Sequence, residues 1–163
     1  MEVTQCTKAD FDQIIANIVN FWGNDRTLSR HNHIFYYKFG NTAFVVKEGD
    51  KVLGYLLGFY SQTTPTAYVQ FIGVRQNYQN RGIGRKLYEH FTNIAIENGC
   101  KELKAVTSPA NKGSIAFHRS IGMELYEGES DEDGIPLVRD YGGPGIHRVL
   151  FRLNECFVTS SIH

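Results

Sequence analysis

Apolar positions along the chain change period several times, and each change marks an element. Residues 2–6 read as a short strand. Thr7, with Asp10 three residues later, resembles a capping box, and Phe11, Ile14, Ile15, Ile18 and Trp22 then recur at helical spacing. Gly23-Asn24 is expected to break that helix, and a second helix is expected over 27–38, TLSRHNHIFYYK, closed by Gly40. The period then becomes two. Strands are expected at 43–47, 52–60 and 67–74, with turns at 48–50 and 61–64, as in an antiparallel meander. Beyond Gly82, Ile83, Leu87, Phe91, Ile94 and Ala95 trace one face of a helix, and Gly99 suits the residue after its end. A strand at 102–107, a helix at 111–121 ended by Gly122, a strand opening at 123–126, an acidic glycine-rich loop and a strand at 146–153 follow. The order β-α-α-β-β-β-α-β-α-β-β predicts an α/β protein (an α+β mixed sheet) instead of a doubly wound parallel one. One domain is expected over 1–153, with 154–163 as a C-terminal tail.

Bulk properties narrow the function classes. A chain of 163 residues with 42% apolar content can bury a sizeable core. Its 17 basic residues balance 17 acidic ones, which argues against nucleic acid as the main partner. Cys6, Cys100 and Cys156 are scattered and odd in number, so neither a zinc pattern nor a disulfide framework is indicated. No apolar run approaches ~18 residues, and the first residues lack the regions of a signal peptide. A cytoplasmic protein without a membrane partner is expected.

The chemistry concentrates in QNRGIGRKL, residues 79–87, between a strand and an amphipathic helix. Amides at a helix N-terminus lack intrahelical acceptors and carry the positive end of the dipole, so they bind phosphate. A nucleotide P-loop would need GxxxxGK followed by Ser or Thr, which is missing. A dinucleotide fingerprint would need a third glycine where Leu87 stands, and a βαβ opening in place of the strands that precede this turn.

Gln79-Asn80-Arg81-Gly82-Ile83-Gly84 instead resembles the [Q/R]xxGx[G/A] signature of the GNAT superfamily of N-acetyltransferases. Some 27 residues beyond Gly84, NKGSIAFHRSIGM (111–123) resembles that family's second motif, with Asn111, Ser114, Phe117 and Gly122 matching and Met123 in place of the final Phe. The resemblance implies the GNAT acyl-CoA N-acyltransferase fold with a splayed central sheet, and acetyl-CoA as co-substrate. By that likeness Ile72, Gly73 and Val74 would line the pantetheine arm and acetyl group. The amides of Gln79, Asn80, Arg81, Gly82, Ile83, Gly84 and Arg85 would hold the pyrophosphate. Asn111, Ser114 and Phe117 would complete the cofactor contacts.

Two departures from the family pattern bear on catalysis. His118 stands where many relatives have a tyrosine as acid to the thiolate, so it is a candidate general acid, or else a helix residue with protonation left to solvent. Gln70 stands where some relatives carry a basic glutamate, and could only orient water or acceptor. Asp25, His31 and His33, in the aromatic and polar stretch 21–37, and Asp140 are candidates for the base, and together with Trp22 for the acceptor pocket. The acidic loop 126–145 departs from an EF-hand at its first and eighth places, so no metal is expected. It is read as a solvated loop whose charge could draw in a cationic acceptor. The expected activity is acetyl transfer to a primary amine of a small molecule. Protein N-terminal or lysine acetylation, and a non-catalytic acyl-CoA sensor, stand as alternatives. A homodimer is compatible with the family likeness.

Overall fold

The computed structural model describes residues 1–131 and 133–154. The expected tail and Cys156 lie outside the described residues, except for Asn154. β1 (Val3–Gln5) leads into α1 (Lys8–Ala16), whose start is the capping box read from the sequence. Thr7 Oγ1 accepts the Asp10 N–H at 3.1 Å, and Asp10 Oδ2 accepts the Thr7 N–H at 3.0 Å. Thr7→Ala is therefore expected to cost about 1 kcal/mol in a urea unfolding titration.

The helical pattern 11–22 forms two helices, because α1 stops at Asn17 and α2 (Ile18–Trp22) restarts; Gly23, at φ 77°, ends it. The helix expected over 27–38 does not form as one piece. A 3₁₀ turn at Leu28–Arg30 and the short α3 (Ile34–Tyr37) replace it. Asparagine side chains compete with helical bonding here: Asn24 Oδ1 accepts the Arg26 N–H and Asn32 Oδ1 the Ile34 N–H, each at 3.0 Å.

The meander forms as β2 (Ala43–Glu48), β3 (Lys51–Tyr60) and β4 (Thr66–Val74), followed by α4 (Ile83–Glu97) and β5 (Glu102–Thr107). Next come α5 (Lys112–Ser120), β6 (Glu124–Leu125), β7 (Glu129–Ser130), β8 (Pro136–Leu137) and β9 (Val149–Asn154). The fold is mixed α/β, with a seven-stranded sheet in the order β1-β2-β3-β4-β5-β9-β6.

Contacts group the chain into two compact units. The first comprises Met1–Phe59 and Val69–Ala95. Its core joins Phe11, Ile14, Ile18 and Phe21 of the first two helices to Val45, Val52, Tyr55, Leu57 and Phe71 of the strands. Strand β3 is buried from Val52 to Gly58, which explains its near-continuous apolar run. Gly54 permits this. A Cβ there would lie 2.6 Å from Ile83 Cγ2 and 3.3 Å from the Gly73 carbonyl oxygen, so α4 packs directly on strand backbone.

The second unit comprises Tyr60–Tyr68 and the described residues from Ile96 onward. Strand β5 alternates, with Leu103, Ala105 and Thr107 buried, and pairs antiparallel with β9 from Glu102↔Asn154 to Thr107↔Val149. The segment expected to be one solvated loop contains the β7–β8 hairpin, in register Glu129↔Leu137. Asp131 Oδ1 accepts the N–H groups of both Asp133 and Ile135 at 2.9 Å and so closes the hairpin turn. The last strand begins at Val149, three residues later than expected, because Val138 and Arg148 exchange backbone bonds and the Ile146 N–H turns back to Gly143.

Candidate active site

The glycine turn grows from the end of β4, in the first unit. Along β4, Phe71 and Gly73 are buried, while Gln70, Ile72 and Val74 are half-buried on the opposite face. A 3₁₀ turn at Gln76–Tyr78 follows, and then Asn80 (φ 63°) and Gly82 (φ 81°) adopt left-handed conformations on either side of Arg81. Left-handed residues within a turn are the backbone habit of anion-binding nests. Gly82 is required by that conformation and not by crowding, since a Cβ there would meet nothing within 4 Å. The Lys86 N–H reaches back to the Gly82 carbonyl at 3.0 Å, so amides between Arg81 and Gly84 have no carbonyl of the helix to donate to. Arg81 is held beside the turn, its guanidinium 4.9 Å from the Tyr78 ring centre and bonded to the Asn77 carbonyl at 3.3 Å. Donors without helical acceptors and a fixed cation suit a diphosphate.

A second constellation in the same unit was not legible in the sequence. Tyr55 is fully buried in β3 and its hydroxyl joins two residues of the 21–37 stretch. Trp22 Nε1 donates to it at 2.7 Å, and His31 Nε2 lies 2.8 Å away. His31 Nδ1 sits 2.9 Å from the Thr27 carbonyl, which can only accept, so Nδ1 carries the ring proton. Burial pushes the His31 pKa down to about 4, which keeps the ring neutral. Nε2 is therefore the acceptor, and the bonds run from Trp22 N–H to Tyr55 O–H to His31. Phe71 stacks on the imidazole at 3.9 Å between ring centres. Thr27 Oγ1, buried alongside, has no hydrogen-bond partner among the described residues.

Of the acceptor-side candidates, Trp22 and His31 converge on Tyr55, and both His31 nitrogens are engaged there. Asp25 and His33 are exposed. Asp140 belongs to the second unit, where it is left-handed (φ 56°) and its Oδ1 accepts the Gly145 N–H at 2.7 Å. The signal that could have found Tyr55 is its place inside an apolar buried strand, where a phenol needs a polar partner.

The second motif lies in the second unit. Asn111 Oδ1 accepts the Ser114 N–H at 3.0 Å and caps α5. Ser114 and Phe117 are half-buried on that helix. His118 is 2% exposed, and its Nδ1 lies 2.7 Å from the Ser114 carbonyl and 3.2 Å from the Ser114 hydroxyl. Its ring stacks on Phe151 at 4.5 Å, and burial lowers its pKa to about 4.

Among the described residues, no helix is long and apolar enough to cross a membrane. Residues 12–123 match the model of the Acetyltransferase (GNAT) family. Thialysine N-epsilon-acetyltransferase of Bos taurus is 29% identical over 86 residues, covering 50% of this chain and 51% of that protein. The chain thus spans about half the length of that relative. N-alpha-acetyltransferase RimI of Mycobacterium tuberculosis is 31% identical over 129 residues, 74% of each chain. Naa20 of Chaetomium thermophilum, solved with a bisubstrate analogue, matches with a TM-score of 0.73 at 16% identity, covering 98% of this chain and 90% of that one. That last likeness is one of fold.

Proposed function

The chain belongs to the acetyltransferase (GNAT) family, and from that premise we propose that it moves the acetyl group of acetyl-CoA to a primary amine of a small molecule, by direct attack in a ternary complex. The observation that carries the cofactor half of this reading is the turn at 79–84, with its left-handed Asn80 and Gly82 and its amides at the start of α4. Acetyl-CoA supplies an activated thioester. The chain's own residues hold and orient it: amides of residues 79–85 take the diphosphate, with Arg81 and Arg85 adding charge. The backbone of Ile72, Gly73 and Val74 would hold the pantetheine arm as an added strand is held, and an N–H of Ile72 or Gly73 would supply a donor for the acetyl oxygen. The catalytic domain on this reading covers 1–153, with 154–163 as its tail.

Attack needs a neutral amine, whereas an alkyl ammonium ordinarily has a pKa near ~10.4. Gln70 cannot take the proton, so we assign it to orienting a water that carries the proton to solvent. His118 is assigned to packing, because its Nδ1 is engaged with Ser114 and its ring is stacked on Phe151. The departing thiolate then takes its proton from water.

Incubation with acetyl-CoA and a panel of small amines, with free thiol followed over time, tests this reading. Gly84→Val is expected to abolish acetyl-CoA binding, since a branched side chain at the start of α4 holds phosphate away from the amides. Normal binding by that variant would remove the diphosphate from the turn. His118→Phe is expected to keep kcat within about threefold, and a loss beyond a hundredfold with the fold intact would restore the acid role.

A second reading, acetylation of a protein α-amino group, is favoured by the broader coverage of the RimI relative. Turnover confined to peptides in the same panel would select it. Tight acetyl-CoA binding with no thiol release on any acceptor would indicate a non-catalytic sensor.

A further inference from the structure

Arg75 follows directly on β4 and is only 6% exposed. A buried cation ordinarily has an anionic partner, because taking charge out of water is costly. Among the described residues, Arg75's side-chain partners are all neutral. Nε donates to the Val52 carbonyl at 2.6 Å, and one terminal nitrogen, Nη2, donates to Gln13 Oε1 at 3.2 Å and Asn17 Oδ1 at 3.0 Å. The guanidinium also lies 4.8 Å from the Phe21 ring centre. Among the described residues the other terminal nitrogen, Nη1, has no hydrogen-bond partner, and no carboxylate lies within ion-pair distance of the group.

Arg75 lines a shallow, open cleft of about 570 Å³ together with Gln13, Asn17, Asn20, Asp50 and Lys51, all in the first unit. Gln13 is occupied: its Oε1 also accepts the Val52 N–H at 2.6 Å, and its Nε2 donates to the Asp50 carbonyl at 2.9 Å. Lys51 is exposed and its ammonium sits 5.0 Å from the Tyr78 ring centre, 3.5 Å from that phenol oxygen. The lining thus carries two cations against one carboxylate, with the side-chain amides of Asn17 and Asn20 as further donors.

We propose that this cleft binds a small oxyanion, a carboxylate or phosphate group, through Arg75 and Lys51, with Asn17 and Asn20 donating at its rim. The oxyanion supplies the counter-charge that the buried guanidinium lacks. None of its lining residues belongs to the turn at 79–84, although the Tyr78 ring meets both Lys51 and Arg81, and the inference does not depend on which cofactor or acceptor the protein uses.

The test is an amide and Arg-Nε NMR titration of the full chain with inorganic phosphate and, separately, with acetate, chloride being used to hold ionic strength constant. Saturable shifts centred on Asn20, Lys51 and Arg75 are expected in the low-millimolar range, and the tighter of the two anions identifies the preferred class. Lys51→Ala is expected to weaken binding at least fivefold without moving the anion-free melting temperature by more than about 1 °C, because Lys51 is exposed. Arg75→Lys keeps the charge but loses the fork and should also weaken binding. If that variant fails to fold, Lys51→Ala alone decides. Three results would overturn the proposal: no saturable shift at these residues up to 50 mM anion, unchanged affinity in Lys51→Ala, or shifts confined to the amides of 79–85.

Discussion

The free energy of unfolding is expected to fall steeply as the pH drops from about 6.5 to about 4, the span between the ordinary histidine pKa and that of two buried rings. His31 and His118 are both held neutral by burial, with pKa values near 4. Between the two values the unfolded chain binds protons that the native chain refuses, so acid favours unfolding. The stability these rings contribute is fully present above about 6.5 and is lost as the pH falls toward 4, roughly 3 kcal/mol for each ring. Two such terms are a large share of the 5–15 kcal/mol typical of a whole domain.

At His31 the structural reason is specific. A proton on Nε2 would face the Tyr55 hydroxyl, which already accepts from Trp22 and would lose the acceptor for its own hydrogen. Urea titrations at pH 7, 6, 5 and 4.5 check the prediction. His31→Gln and His118→Gln should each remove about half of the added slope, and a profile that stays level from pH 6.5 to 4.5 in the parent chain would sink it.

Gly73→Ala is expected to destabilise the protein by about 1–3 kcal/mol, the usual cost of overpacking a filled interior. The added methyl would lie 2.6 Å from Tyr55 Cε1, 2.9 Å from Cζ and 3.0 Å from the phenol oxygen. The ring has no room to retreat, because Trp22 and His31 hold its hydroxyl and the Phe21 ring meets it edge-on at 5.1 Å. The strain therefore passes to β4. On the proposed function that strand carries the acetyl group, so a raised KM for acetyl-CoA should accompany the loss of stability. Gly40→Ala is the matched control, since a Cβ there meets nothing within 4 Å. Its effect should stay within about 0.5 kcal/mol. Equal effects from the two substitutions would show that the contact with Tyr55 does not limit the site.

Element identity was legible wherever it rested on near neighbours. The capping box at Thr7 and Asp10, the period of α4 and the glycine at its end all express bonds that close within a few residues. The same holds for the turn at 79–84, whose chemistry is backbone chemistry set by Asn80, Gly82 and the start of a helix. The broken helix over 27–38 and the β7–β8 hairpin are not legible in the sequence for a related reason. Both depend on Asn and Asp side chains outcompeting the regular backbone pattern, and periodicity does not register that competition.

By itself, then, the sequence determined the mixed α/β order, the family and the candidate phosphate-binding turn, because each is written in local spacing. Only the tertiary structure decided that Trp22, His31 and Tyr55 share one hydroxyl, that His31 is therefore a neutral acceptor with both nitrogens engaged, and that Arg75 is buried without a counter-charge among the described residues. Those outcomes depend on which side chains meet across helix and sheet, and on the cost of leaving any of them unpaired away from water.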